Sequence, residues 1–369
     1  MPAARYRGRH AVALENAQLR VTVLREGGHV AELLDKATGV DPLWTPPWPT
    51  IEPSSYDPAR HPEYGGNVES PLLAGIMGHN LCLDLFGGPS EAEAACGMVV
   101  HGEASTAVFE ISEGDGGAPL SLTMRAEFPL AAIGFERRLE LHGAWVRFRE
   151  TVLSRAATDR PIGWTQHVTL GPPFLQPGGT QVQVTATRSK TFETDFGSAS
   201  DLAPGAEFDW PWAPVKSPAK TGPPRDLRVF HAAAAAGGYT AHLMDPAREH
   251  ASFTAFSPGH RVAIGYIWRR TDFPWLGMWA ENRSRLQPPW NGETVTWGLE
   301  FGVSPFPESR QAMSERGALF GVPTCRWLPA RGRLEAEYWA TVGPAAQLPP
   351  PPSPSFPSSL AWPAGPAWP

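Results

Sequence analysis

Leu19-Arg20-Val21-Thr22-Val23-Leu24 and His29-Val30-Ala31-Glu32-Leu33-Leu34, joined through Gly27-Gly28, decide the fold class. The first run reads apolar, polar, apolar, polar, apolar, apolar, and the glycine pair has the chemistry of a turn before the pattern resumes. Working outward, alternation with period two returns at Leu120–Phe128, Phe135–Leu141, Trp145–Val152, Gln181–Thr187 and Thr294–Val303. Gly, Pro, Asp and Asn separate these runs. Many short strands spaced in this way point to an all-β chain, an antiparallel sandwich or barrel. Helical periodicity is weak. Its best candidate is Ser309–Leu319, where Ser309 is placed to cap a short helix carrying Ala312 and Met313.

Composition narrows the classes further. The 369 residues include 37 Gly and 41 Pro, a load that excludes a long helical bundle or coiled coil. Acidic residues outnumber basic ones 37 to 31, for a net charge of -6. The arginines are scattered, and the basic stripe of a nucleic-acid binder is absent. No stretch reaches the ~18 apolar residues of a membrane span, and no apolar run follows the arginines of Met1–His10 as a secretory signal would require. Cys82, Cys96 and Cys325 are too few and too dispersed for a disulfide framework or a zinc cluster. These features lead to the expectation of a cytoplasmic protein with reduced thiols and no membrane or nucleic-acid partner. The oligomeric state is left open.

No repeat appears at solenoid or propeller periods. Pro42–Pro71 holds eight prolines and several aromatics, and Pro204–Arg225 is rich in Pro, Trp and Lys. Ordered loops of that length often cover or line a site. From Gly343 to Pro369, ten of 27 residues are proline and charge is nearly absent. Such a segment buries too little surface to offset its ordering entropy. The expected organisation is one domain over 1–342 and a disordered tail over 343–369.

Three places carry candidate chemistry. His101 ends the apolar pair Val99-Val100 and precedes Gly102. His167 lies in Trp164-Thr165-Gln166-His167-Val168-Thr169, where Thr165, His167 and Thr169 share a polar face that runs into Gly171-Pro172. Such a face suits the floor of a cleft, although a hydrogen-bonded sheet histidine would look the same. Glu281 closes the apolar, aromatic run Trp275-Leu276-Gly277-Met278-Trp279-Ala280, and a carboxylate deprived of water there would gain a raised pKa and could act as a base. A strand-end glutamate in solvent is the plainer reading. A metal site drawn from His79, Asp84, His101 and His167 matches no known ligand spacing. A hydrolase pair would join Glu281 with Glu300 or Asp272.

Taken in order, these segments resemble the galactose mutarotase-like superfamily, which includes the aldose 1-epimerases. The likeness spans roughly residues 10–305. It runs from Leu14-Glu15-Asn16-Ala17 and Gly27-Gly28 through Leu43-Trp44, Gly97-Met98-Val99-Val100-His101-Gly102, Thr165-Gln166-His167 with Phe174, and Trp279-Ala280-Glu281-Asn282, to Gln287-Pro288-Pro289-Trp290-Asn291-Gly292-Glu293. The family's Gly-Arg-x-x-Asn-Arg segment is replaced by Gly75-Ile76-Met77-Gly78-His79-Asn80, which marks a divergent branch. The resemblance implies a large antiparallel supersandwich with few short helices, and an enzyme that opens and recloses a cyclic sugar hemiacetal. It implies Glu281 as base, His167 as acid and His101 as a helper at the ring oxygen. It places His79, Asn80, Trp164, Trp279 and Asn282 around the sugar, with neither metal nor cofactor. A non-catalytic carbohydrate-binding protein, or another sugar isomerase or lyase on the same scaffold, is the alternative.

Overall fold

The hairpin quoted above forms, with strands at Leu19–Leu24 and Val30–Asp35. Val21 stands opposite Leu33 and Thr22 opposite Glu32, and a bulge shifts the register before Val23 meets Val30. Gly27 and Gly28 take φ of 77° and 59°. A Cβ on Gly27 would also fall 2.6 Å from the Ser105 carbonyl oxygen, so both conformation and space demand glycine.

The computed structural model describes residues 4–114, 119–196, 199–216 and 223–350. Its strands assemble mainly into a twelve-stranded and an eight-stranded sheet. At the centre of the larger sheet the order is His79–Asp84, Arg160–Leu170, Val295–Gly302, Trp275–Asn282, Ala236–Met244. All four junctions along that order are antiparallel. Leu122, Met124 and Phe148 of the smaller sheet share one apolar cluster with Val168 and Leu299 of the larger. Trp268 of the smaller sheet stacks on Phe301 of the larger, with centroids 4.2 Å apart. Two sheets closing on one core make the all-β sandwich, and each large apolar side chain buried there stabilises it by roughly 1.5–3 kcal/mol.

Expected strands appear at Ser121–Phe128, Ile133–His142, Trp145–Ser154 and Val295–Gly302. The run expected at Gln181–Thr187 instead breaks at Thr185. Gln181–Val184 joins the smaller sheet, and Ala186–Thr191 joins the larger. The short helix spans Arg310–Arg316 and is capped by Ser309, whose Oγ accepts the Ala312 N–H at 3.2 Å. It stops at Gly317, earlier than expected, because that residue turns the chain at φ 66°. The last strand, Arg333–Pro344, crosses the expected start of the tail. Ala345 is buried beyond it, and Leu348 packs near Phe256. Residues 351–369 of that tail lie outside the described residues. Among the described residues, no helix is long and apolar enough to cross a membrane.

Candidate active site

The central strand Arg160–Leu170 presents two faces. Trp164, Gln166 and Val168 point between the sheets, and Thr165, His167 and Thr169 point outward, as alternation requires. In register, His167 lies between Asn80 on one neighbour and Glu300 on the other. Glu300 in turn stands opposite Gly277. Over this outer face opens a cavity of about 170 Å³, with His101, His167 and Glu300 on its wall beside Tyr239, Trp279 and Trp290. The His101 and His167 rings are 4.7 Å apart, and Trp279 is 6.0 Å from His167. Glu69 and Arg285 supply the remaining charged groups. The volume is below the ~300–1,000 Å³ of drug-sized sites, and suits a small ligand.

Backbone features place these side chains. His101 takes φ 66°, a left-handed conformation that non-glycine residues seldom adopt. Two hydrogen bonds at 3.1 Å hold it there: its N–H donates to the Gly87 carbonyl, and its own carbonyl accepts from Leu83 N–H. Gly102 must follow, since a Cβ would fall 2.3 Å from the Leu83 carbonyl oxygen. On the adjoining strands two glycines clear space for larger neighbours. A Cβ on Gly298 would lie 2.1 Å from Glu300 Oε1, and one on Gly277 would lie 2.0 Å from the Tyr239 hydroxyl. Trp290 is fixed by stacking parallel to Trp44, with an angle of 8° between rings.

His167 Nε2 lies 3.2 Å from Glu300 Oε1, within ion-pair reach. The approach is off the line of a hydrogen bond, and Oε1 has no hydrogen-bond partner among the described residues. Burial pushes the His167 imidazole down to about 4. Burial also pushes the Glu300 carboxyl well above the carboxylate range, and His101 is pushed well down by burial and then by the neighbouring His167. Both shifts favour the uncharged forms, a neutral imidazole beside a carboxylic acid, and in those forms the imidazole can take a proton while the carboxyl gives one. Nδ1 of both histidines, Thr165 Oγ1 and both side-chain polar atoms of Asn80 are also buried without partners among the described residues. Native interiors seldom leave so many polar atoms unmatched in one place. No group of three or more His, Cys, Asp or Glu side chains among the described residues is arranged to hold a metal ion.

Known structures with this architecture include a proposed aldose 1-epimerase from Klebsiella pneumoniae (TM-score 0.65, 13% identity, 92% of this chain and 81% of that one). A galactose mutarotase-like protein from Clostridium acetobutylicum aligns with TM-score 0.60 at 12% identity over 91% of this chain and 96% of its own. Another from Lactobacillus casei aligns with TM-score 0.56 at 14% identity over 90% and 100%. The fold is galactose mutarotase-like. No protein-family model matches the sequence, and no curated protein matches it either.

Within this galactose mutarotase-like fold, the residues expected at the site separate. His101, His167 and Trp279 line the cavity. Asn80 sits on the same face as His167 but is fully covered. His79 and Trp164 do not reach the cavity. Their positions alternate onto the inner face, where His79 Nε2 is 3.0 Å from Gln166 Oε1 and Trp164 Nε1 donates to Glu150. Asn282 is spent on the carbonyls of His231 and Ala233. Glu281 also lies off the cavity wall. Its carboxylate is buried and accepts from the Ser284 N–H, the Ser284 hydroxyl and the Arg285 N–H. The glutamate at the cavity is Glu300, for which the sequence suggests a structural place in the last strand or, in a hydrolase, partnership with Glu281. Its signal was the interior glycine two residues earlier on the same face, since a strand tolerates such a glycine chiefly where something must approach closely. Of the two long loops, Pro42–Pro71 contributes Glu69 to the wall, whereas no described residue of Pro204–Arg225 does.

Proposed function

We propose that the protein is a carbohydrate isomerase of the aldose 1-epimerase type, with His167 and Glu300 as its acid–base pair. The observation that carries this reading is the buried His167–Glu300 contact at 3.2 Å, opening with His101 into a small aromatic-walled cavity. Opening a cyclic hemiacetal requires loss of the anomeric O–H proton, cleavage of the bond from the anomeric carbon to the ring oxygen, and protonation of that oxygen. Rotation of the freed aldehyde and closure by the reverse steps gives the other anomer. A neutral imidazole and a carboxylic acid can take and supply those protons, each returning to its starting state over one cycle. His101, against the His167 ring, supports the oxygen that accumulates charge. Trp279 and Trp290 provide flat faces for the C–H side of a sugar ring. The names of the similar structures agree with this class.

The test is NMR exchange between anomers over a panel of aldoses and their derivatives. Acceleration by the wild type, lost in both His167→Asn and Glu300→Gln, is the expected result. Sugar binding with no acceleration at any pH would leave a carbohydrate-binding protein. Acceleration that survives Glu300→Gln but not Glu281→Gln would move the base back to Glu281.

A further inference from the structure

The reading of the cavity as a sugar site leaves Arg285 and Glu69 without a task. Arg285 lines the cavity. Its guanidinium carbon lies 4.6 Å from the centre of the Trp290 ring and 5.4 Å from that of Trp279. Two indoles thus flank the fork and limit its freedom. Glu281 holds it from behind, accepting the Arg285 backbone N–H at 3.2 Å, with Oε2 3.6 Å from Nε. The terminal nitrogens have no hydrogen bond among the described residues, and about a quarter of the side chain remains exposed (26%). Glu69, on the same wall, is outside ion-pair distance of Arg285. Trp279 touches both Arg285 and the His167 neighbourhood, so one ligand laid along that indole reaches the guanidinium and the acid–base pair together.

We propose that Arg285 receives an anionic substituent of the sugar, a carboxylate or a phosphate, and that Glu281 is the positioning residue that aims it. A planar, permanently charged fork with free terminal N–H groups matches the two oxygens of either anion, whereas a neutral hydroxyl uses only part of it. Burial drives Glu300 on the floor toward its uncharged form, which lessens the negative charge an anion would meet. Glu281 therefore acts through Arg285 and not on the reacting bond.

Equilibrium binding tests this independently of turnover. Glucuronate and glucose 6-phosphate are titrated against glucose, and galacturonate against galactose, by calorimetry or tryptophan fluorescence. At least one acidic sugar binds about 10-fold or more tightly than its neutral parent, in the range of a charge-assisted hydrogen bond, and the preference weakens with added salt. The glucuronate and phosphate arms identify which anion the site takes. Arg285→Ala removes the preference, and Arg285→Lys, which keeps the charge but not the fork, retains a part of it. Glu281→Gln raises KM for the acidic sugar while kcat holds. Equal affinity for acidic and neutral sugars in the wild type overturns the proposal, as does an Arg285→Ala or Arg285→Lys protein that weakens both kinds equally. An acidic sugar that binds through Arg285 without faster anomer exchange supports it and refutes only the epimerase reading.

Discussion

The two faces of the strand Arg160–Leu170 carry two buried polar clusters that differ in one respect. On the inner face Arg137 Nε donates to Glu150 Oε1 at 2.7 Å and Nη2 to Gln166 Oε1 at 3.0 Å. Gln166 Nε2, Trp164 Nε1 and the Tyr338 hydroxyl also donate to Glu150. Arg137 Nη1 reaches the Gly28 carbonyl at 3.2 Å, which ties this network to the first hairpin. On the outer face His101, His167, Glu300 and Asn80 are also buried, yet each keeps an atom with no hydrogen-bond partner among the described residues. A buried polar group is tolerated when it is hydrogen-bonded, and a buried charge when it is also paired. The inner cluster meets that condition and fixes how the sheets dock. The outer cluster does not meet it, and so has bonds to offer a ligand.

Changes on the outer face should therefore affect chemistry far more than folding. Glu300→Gln is expected to lower anomer exchange by ~10²–10⁴-fold, the usual worth of a positioned proton-transfer group. Its thermal midpoint should be equal to or above that of the wild type. A large loss of stability with activity retained would erase the contrast between the faces. Arg137→Ala is the converse. Stranding the Glu150 carboxylate should cost ~3–5 kcal/mol of stability in chemical denaturation, and a near-neutral result would show that the inner network is dispensable.

The protonation states sharpen the comparison. His167 has a folded pKa of about 4, below the ~6.5 of an unfolded histidine. The unfolded chain therefore binds more protons between those values, and stability should fall as pH drops through that window, by on the order of 3 kcal/mol from this residue. Glu300 has the opposite sign. Its raised folded pKa means that stability declines as pH rises above the ordinary carboxylate value, and Glu300→Gln should flatten that decline. Activity should show an acid limb near 4 from the pair as His167 gains its proton. The alkaline limb should come as Glu300 loses its own, both limbs being properties of the coupled pair. An alkaline limb that moves with His167 substitutions alone would restore the roles expected from the family.

The smallest effect is expected from Gly298→Ala. The added methyl would meet Glu300 Oε1 and overpack the site by ~1–3 kcal/mol. Exchange should fall more than stability, as compared by kinetics and thermal unfolding of the one variant. An unimpaired Gly298→Ala would show that the Glu300 carboxylate is free to move.

The sequence by itself determined the all-β class, the first hairpin and the capped helix at Ser309, and it singled out the two histidines that line the cavity. These rest on local rules: alternation, turn chemistry, a cap, and a polar residue on a strand face. Ala236–Met244 was invisible to those rules, because all nine of its residues are buried and nothing alternates. Alternation also placed His167 and Trp164 on opposite faces, but could not say which face met the other sheet. Only the tertiary structure decided that, and with it the exclusion of His79 and Trp164 from the cavity. It also set Glu300, and not Glu281, on the cavity wall. Both follow apolar strand segments, and both are buried. What separates them is their neighbours across the sheet: Glu300 stands in register with His167, while Glu281 has a loop folding back onto its carboxylate. Neighbours across a sheet are set by strand order, and strand order is a property of how the whole chain packs its core.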